Sequence, residues 1–463
     1  GLGDVYKRQY IDNTLNWNKN ASVAAGAKLD EQNDIVFTAS GGDEFLRWSN
    51  PLYSYSQMME NPTANSGVSS ENNLNFATVS AALENNSSFG EGAIQMGANM
   101  REVDTLFPST WGDTSNSVML WTASFTPRYR VYMGEEDESY VEGGLDFYYD
   151  NMASKRYSDG GYSNKIASTD IERITIAPWL GGRLALDDVF SITAAGRYES
   201  AINYVDHTSA APYDEHKNFG GLAGQIGLNA KIDESWNVYF RFDQVYRYPA
   251  IDEMASYWGY ATDAFNPLLN PERGQNYEIG ANFVRGPWRA NCSLFFMHLD
   301  NEIMLNPATY TSENIGSTDR FGADVRLGYE LENFGVSTAW AFVSAKFDGG
   351  EYNGNNVPLV PTIVSTTRVW VKPVKFLELA VEYEWASGQY MGSDFGNTQE
   401  KMPAVWTLNV VANIFISENV RAFAAFNNVT DEIYASYAVH SAYGDSWYPA
   451  LGRNVRVGVE FKF

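Results

Sequence analysis

The sequence predicts an all-β fold, a large antiparallel transmembrane β-barrel, and three observations carry that prediction. Apolar and polar residues alternate with period two through almost all of the 463 residues, and no segment carries a convincing helical period. Several alternating runs continue well past ten residues, whereas strands of soluble sandwiches are usually ~5–6 residues long. The connections form two sets, one of very short polar turns and one of long loops. That asymmetry belongs to a barrel with tight periplasmic turns and extended extracellular loops.

Composition narrows the function classes. The 13 Trp, 29 Tyr and 26 Phe supply far more apolar surface than a disordered chain carries. With 57 acidic against 32 basic side chains the net charge is −25, so nucleic acid is not an expected partner. A single cysteine, Cys292, excludes an internal disulfide framework and a cysteine-based zinc ribbon. Four histidines leave little for a His-rich centre, and neither a metal nor a cofactor is expected. No run approaches the length of a membrane helix. Barrel strands escape that test because alternation hides their hydrophobicity.

Taken in order, residues 1–9 (GLGDVYKRQ) lack a basic region followed by an apolar stretch and so are not a secretory signal. They resemble a translated linker or assembly scar, and residues 10–463 are expected to form one domain, truncated at its N-terminal side. Tight turns are predicted at Asp30–Asn33, Asn85–Ser87, Gly134–Glu138, Asp187-Asp188, Asp233–Ser235, Gly286-Pro287, Glu332-Asn333, Pro373–Lys375 and Ser417–Asn419. Loops rich in Gly, Asn, Asp, Ser and aromatic residues fall near 43–72, 102–116, 156–166, 205–218, 250–274, 306–317, 348–361, 387–402 and 432–452. The nine turns give eighteen strands, and one more at each end makes about twenty.

The strands themselves show an oily face and a charged one. In Arg320–Leu331, Phe321, Ala323, Val325, Leu327, Tyr329 and Leu331 oppose Arg320, Asp324, Arg326 and Glu330. Leu377, Leu379, Val381, Tyr383 and Trp385 oppose Glu378, Glu382 and Glu384, and the last run sets Val455, Val457, Val459, Phe461 and Phe463 against Arg456, Glu460 and Lys462. Lipid takes the first face and a wet lumen the second. A barrel of this strand number has a lumen too wide for side chains to fill.

Five segments then bring a family into view. Val245–Glu253 (VYRYPAIDE), Asn270–Gly280 (NPERGQNYEIG), Asn314–Gly316 with Gly322 and Asp324, Asn427–Tyr434 (NNVTDEIY), and Pro449–Arg453 (PALGR) with the terminal Phe-Lys-Phe463 follow one another in order. Together they resemble the C-terminal barrel of TonB-dependent outer-membrane receptors; that family usually has Glu where Asp324 stands. The resemblance implies twenty-two strands in a full barrel, an N-terminal plug, and a TonB-box peptide. This chain has no room for the plug, and its strand count leaves out the first hairpin. It also implies outer-membrane lipid and lipopolysaccharide, the TonB complex, the barrel-assembly machinery and a small nutrient ligand as partners. Siderophores, haem, cobalamin and glycans are the nutrient classes. Phe461 and Phe463 would carry the terminal signal read during barrel assembly. A passive porin or a surface-binding barrel is the alternative.

No catalytic constellation emerges. Luminal charges such as Arg173, Arg241, Asp243, Glu278, Arg320, Arg368, Glu378 and Glu382 read as ion-paired wall ladders rather than acid–base pairs. His207 and His216, beside Asp206, Asp214 and Glu215, read as a solvated acidic loop, and His298 as a satisfied wall histidine. Loop aromatics and carboxylates are the ligand-binding candidates: Trp111, Tyr257, Trp258, Tyr260, Asp263, Phe265, Tyr390, Asp394, Phe395, Tyr443, Asp445, Trp447 and Tyr448. Such groups grip a sugar, a cationic chelate or a flat cofactor. The competing role is to pack the loops on one another.

Overall fold

The computed structural model describes residues 15–64, 69–109, 112–134, 138–209, 212–254, 266, 268–306, 311–441 and 444–462. Nineteen strands form one antiparallel sheet that starts at Leu15–Lys28 and ends at Asn454–Phe461. All nine predicted turns close hairpins, and each strand pairs with its neighbour in sequence across unbroken or nearly unbroken registers. The nineteenth strand follows the last hairpin; the one expected before the first hairpin lies outside the described residues.

Three of the turns are built alike. Asp30, Asp187 and Asp233 each stand at the head of a turn and accept from the N–H groups two and three residues on, at 2.7–2.9 Å. This Asx arrangement reverses the chain with few residues because the side chain satisfies the amides the sheet leaves free. The Asn33 amide and the Gln32 N–H hold the Asp30 carboxyl below the usual carboxylate range.

The period-two faces fall where the alternation places them. Outward residues such as Leu180 (63% exposed) and Val457 (72%) are too exposed to be core, and nothing in the sheet covers them. From Phe321 to Leu331 the outward apolar row covers ten residues, about 33 Å along the strand, or ~25 Å of height at a barrel's usual tilt. Exposed aromatics beside the short turns, Phe89, Phe190, Trp236, Trp288, Phe334, Phe376 and Phe461, line the periplasmic rim as an interfacial girdle.

The inner face is charged and paired in a recurring unit. Arg130, Arg197, Arg241, Arg247 and Arg368 each hold two carboxylates: Glu91 and Glu142, Asp146 and Glu199, Asp243 and Glu278, Glu253 and Glu272, Glu378 and Glu382. Four of the units keep one net negative charge, while Lys372, 3.5 Å from Glu378, balances the Arg368 unit.

Apolar packing gathers at the extracellular end. One cluster joins the inward Val118, Met152, Ile171, Val205 and Phe219 to Ile251, Met254 and Leu269 of the loop that follows Arg247. Another joins Leu52 and Met58 of the first outer loop to Met391, Met402, Ala438 and Trp447 of the last ones. Leu52 and Trp447 also exchange backbone hydrogen bonds of 3.0 and 2.8 Å. Loops from the two ends of the sheet thus meet, so the sheet curls round on itself. Its two edge strands both run toward the short-turn rim. An antiparallel closure between edges of the same direction requires an odd number of further strands.

Several predicted loops are shorter than expected. Phe190–Thr208 and Tyr213–Lys231 pair as far as His207 and Tyr213, leaving 209–212 where a loop of 205–218 was expected. His207 is consequently a buried strand residue bonded to Thr169, not part of a solvated loop. Above the lipid the outward face meets water while the packed inward face includes polar Asn203 and His207, so hydropathic alternation stops while backbone pairing continues.

Two substitutions test this packing. A Cβ on Gly280 would stand 2.5 Å from Cζ and Oη of Tyr239, whose hydroxyl donates to Glu278 at 2.6 Å. Gly280→Val should expel that ring and cost about 1–3 kcal/mol, read as a lower urea midpoint in detergent with the folded-barrel gel mobility retained. Trp447→Ala should remove about 3–5 kcal/mol from the loop assembly. Limited proteolysis should then cut near 50–64 and 435–449 first, while the wall strands stay protected.

Candidate ligand site at the outer mouth

The five motif segments are structural ties at the extracellular rim. Arg247 of the first binds Glu253 of the same segment at 2.8 Å and Glu272 of the second at 2.7 Å. Glu272 also accepts from the Ile303 N–H at 2.7 Å. Asn314 of the third segment donates to the Asn270 and Asn301 carbonyls at 3.0 and 2.7 Å and accepts from the Asn270 N–H at 2.8 Å. In the fourth, Asn428 and Asp431 have positive φ (48° and 59°), which Asn and Asp tolerate better than most residues. Asp431 accepts from the Arg453 N–H of the fifth at 2.9 Å. The buried Arg173, which the sequence reads as a wall charge, donates to the Pro249 carbonyl at 2.8 Å and lies over the Tyr248 ring. It pins the first segment into the mouth.

The predicted ligand contacts divide into three groups. Trp111, Tyr257, Trp258, Tyr260, Asp263, Phe265 and Tyr443 lie outside the described residues, as does Phe463. Trp447 and Asp394 are scaffold. Trp447 is 5% exposed and stacks near Tyr55, while Asp394 is 2% exposed and accepts from the Thr398 and Gln399 N–H groups at 2.8 and 3.1 Å. Tyr390, Asp445 and Tyr448 are half-buried. Lys401 covers the Tyr390 ring, Tyr448 pairs with Tyr437, and Asp445 lies 2.7 Å from His440 Nδ1.

Asp445 leads to a cavity that the sequence did not assemble. About 450 Å³ opens between four outer loops, lined by Asn306, Glu313, Glu351, Tyr352, Phe395 and His440 among others. Tyr352 and Phe395 are 5.5 Å apart and both rest on Phe347, which faces inward from its strand. Asn306 donates to Glu313 at 3.0 Å. Four loops from distant parts of the chain supply these groups, so linear spacing could not reveal them. Phe395, already a loop candidate in the sequence, was the nearest signal.

Deeper in the barrel a larger cavity of about 780 Å³ is lined by wall residues that include Arg128, Asp146, Arg197, Arg241 and Asp243. His298, Asp319 and Asp348 could share a cation, but alternation places them on the outward face of their strands, away from both cavities. His298 Nδ1 lies 2.7 Å from Asp319, the partner a wall histidine needs.

Comparison with known proteins agrees with the motifs. Residues 2–429 match the family model described as TonB dependent receptor-like, beta-barrel. A probable TonB-dependent siderophore receptor, PiuA of Acinetobacter baumannii, is 23% identical over 287 residues, covering 58% of this chain and 37% of that protein. The chain thus aligns to well under half of that relative's length. Among solved structures, the ferric yersiniabactin uptake receptor FyuA from Yersinia pestis superposes with a TM-score of 0.80 at 16% identity, over 100% of this chain and 74% of that one. The ferric citrate transporter FecA gives 0.83 at 17%, over 98% and 71%. Identities this low establish the fold alone. The family model covers most of the chain, and the chain belongs to the TonB dependent receptor-like β-barrels of the Gram-negative outer membrane.

Proposed function

We propose that the intact protein is an outer-membrane active-transport receptor, and that this chain is its barrel. A scarce nutrient of the ferric-siderophore kind is captured at the extracellular loops. TonB, acting through an N-terminal segment, then moves a plug and admits the nutrient, so no covalent chemistry is involved. The observation that carries this reading is the distribution of packing. Among the described residues the wall encloses a charged lumen, while the apolar clusters brace loops at the outer mouth. A wall of this width needs a separate occupant to be tight.

The siderophore receptors named above support the nutrient class. Tyr390, Asp445 and Tyr448, with Trp111, Tyr257, Trp258, Tyr260, Asp263 and Tyr443, are the proposed loop contacts; Trp447 and Asp394 serve by holding their loops. Lipopolysaccharide around the extracellular end of the wall and the assembly machinery at Phe461 and Phe463 complete the partner set. A passive porin would form its constriction from its own loops and has no use for the rim ties of the five motifs.

Deletion of the complete gene should abolish energy-dependent uptake of one ferric chelate, and restoration should require a functional TonB. Uptake that persists without TonB would contradict the reading. The 463-residue chain alone should give a leaky, ungated pore in planar bilayers; a tightly closed, ligand-gated conductance would refute its role as the barrel of a plugged receptor.

A further inference from the structure

We infer that the mouth cavity between the outer loops selects a ligand of net positive charge, a cationic metal chelate. The inference rests on the transport reading above and adds the charge of the cargo. Three independent features of the molecule point the same way.

The first is the cavity's inventory of groups. Its rim carries the carboxylates of Glu313 and Glu351, and among the described residues no lysine or arginine lines it. Asp445, 2.7 Å from His440 Nδ1, sets a third carboxylate behind the rim. The second is the aromatic pair Tyr352 and Phe395, whose tilted rings present π-faces that attract cations and repel anions. Their positions are fixed from below by Phe347, so the surface is preformed. The third is the field of the barrel beneath. Arg130, Arg197, Arg241 and Arg247 each carry two carboxylates, and only the Arg368 unit is balanced, by Lys372, so these units leave a negative excess that draws cations and turns anions away. At about 450 Å³ the cavity has the size of small-ligand sites and could seat one face of a chelate.

The test compares two ferric trihydroxamates of the same skeleton. One has a free pendant amine and is positively charged; in the other the amine is acetylated and the complex is neutral. Binding to the complete, detergent-purified receptor is followed by quenching of intrinsic fluorescence, with the metal-free ligands as a further arm. The charged chelate should bind at least about tenfold more tightly than the neutral one, a gap that narrows as salt rises. Glu351→Gln, at an exposed position where folding is not at stake, and Glu313→Gln should each weaken the charged chelate several-fold and leave the neutral one unchanged. If the metal-free amine binds as tightly as the charged chelate, the site reads an organic cation and not a chelate, and the inference fails. Equal or reversed preference, or no binding of the charged chelate, also overturns it. In those cases TonB-dependent uptake of neutral or anionic chelates would leave the transport reading standing, and loss of all TonB-dependent uptake would remove both.

Discussion

Everything in this molecule depends on one constraint: inside a lipid layer each backbone N–H and C=O must find its partner within the protein. Nineteen strands meet it by pairing with their neighbours in sequence, residue for residue. Consecutive pairing fixes the rest. Connections must be hairpins, short where nothing is needed and long where the outside must be touched. Side chains must alternate, so each strand offers lipid and water one face apiece. The two edges then run in the same direction, and the sheet cannot be sealed within itself by antiparallel pairing alone.

Charge follows from the same geometry. A net charge of −25 would be hard to place in a packed core, but a wet lumen and wet loops accommodate it. The wall uses arginine as a fork between two carboxylates on nearby strands, as Arg130 does with Glu91 and Glu142. These pairs are partly exposed, so each contributes little to stability. Their larger effect is on the field felt by anything entering the mouth. The motif residues work differently: Arg247, Glu272, Asn314 and Asp431 join neighbouring loops to strand ends and so define the frame in which variable loops are displayed.

How much was legible in the sequence follows from range. Turns such as Asp187-Asp188 and Asp233–Ser235 were visible because a local side chain makes them. The outward row Phe321–Leu331 was visible because period two is itself local. The boundary at His207 was not, since polar residues on both the wet outward face and the packed inward face erase the alternation that marks it. The outer site was least legible. Trp447 and Asp394 look like ligand contacts in a loop sequence, yet Trp447 is buried in packing that Leu52 and Met58, more than three hundred positions away, help to build, and Asp394 is buried holding the amides of its own loop. Glu313, the Glu351-Tyr352 pair and His440 lie in different loops, and only the curled wall brings them to one cavity.

The central claim is that this sheet stands in a membrane with one face to lipid and one to water. Single cysteines placed along Ser317–Glu330, with the outward Cys292 replaced by serine, carry spin labels in the reconstituted complete receptor. Labels at positions 321, 323, 325 and 327 should be relaxed by oxygen dissolved in lipid. Those at 322, 324 and 326 should respond instead to a water-soluble nickel reagent wherever the plug leaves access. A phase that alternates with period two is the predicted result. Water accessibility at the odd positions, or no alternation along the strand, would contradict the account.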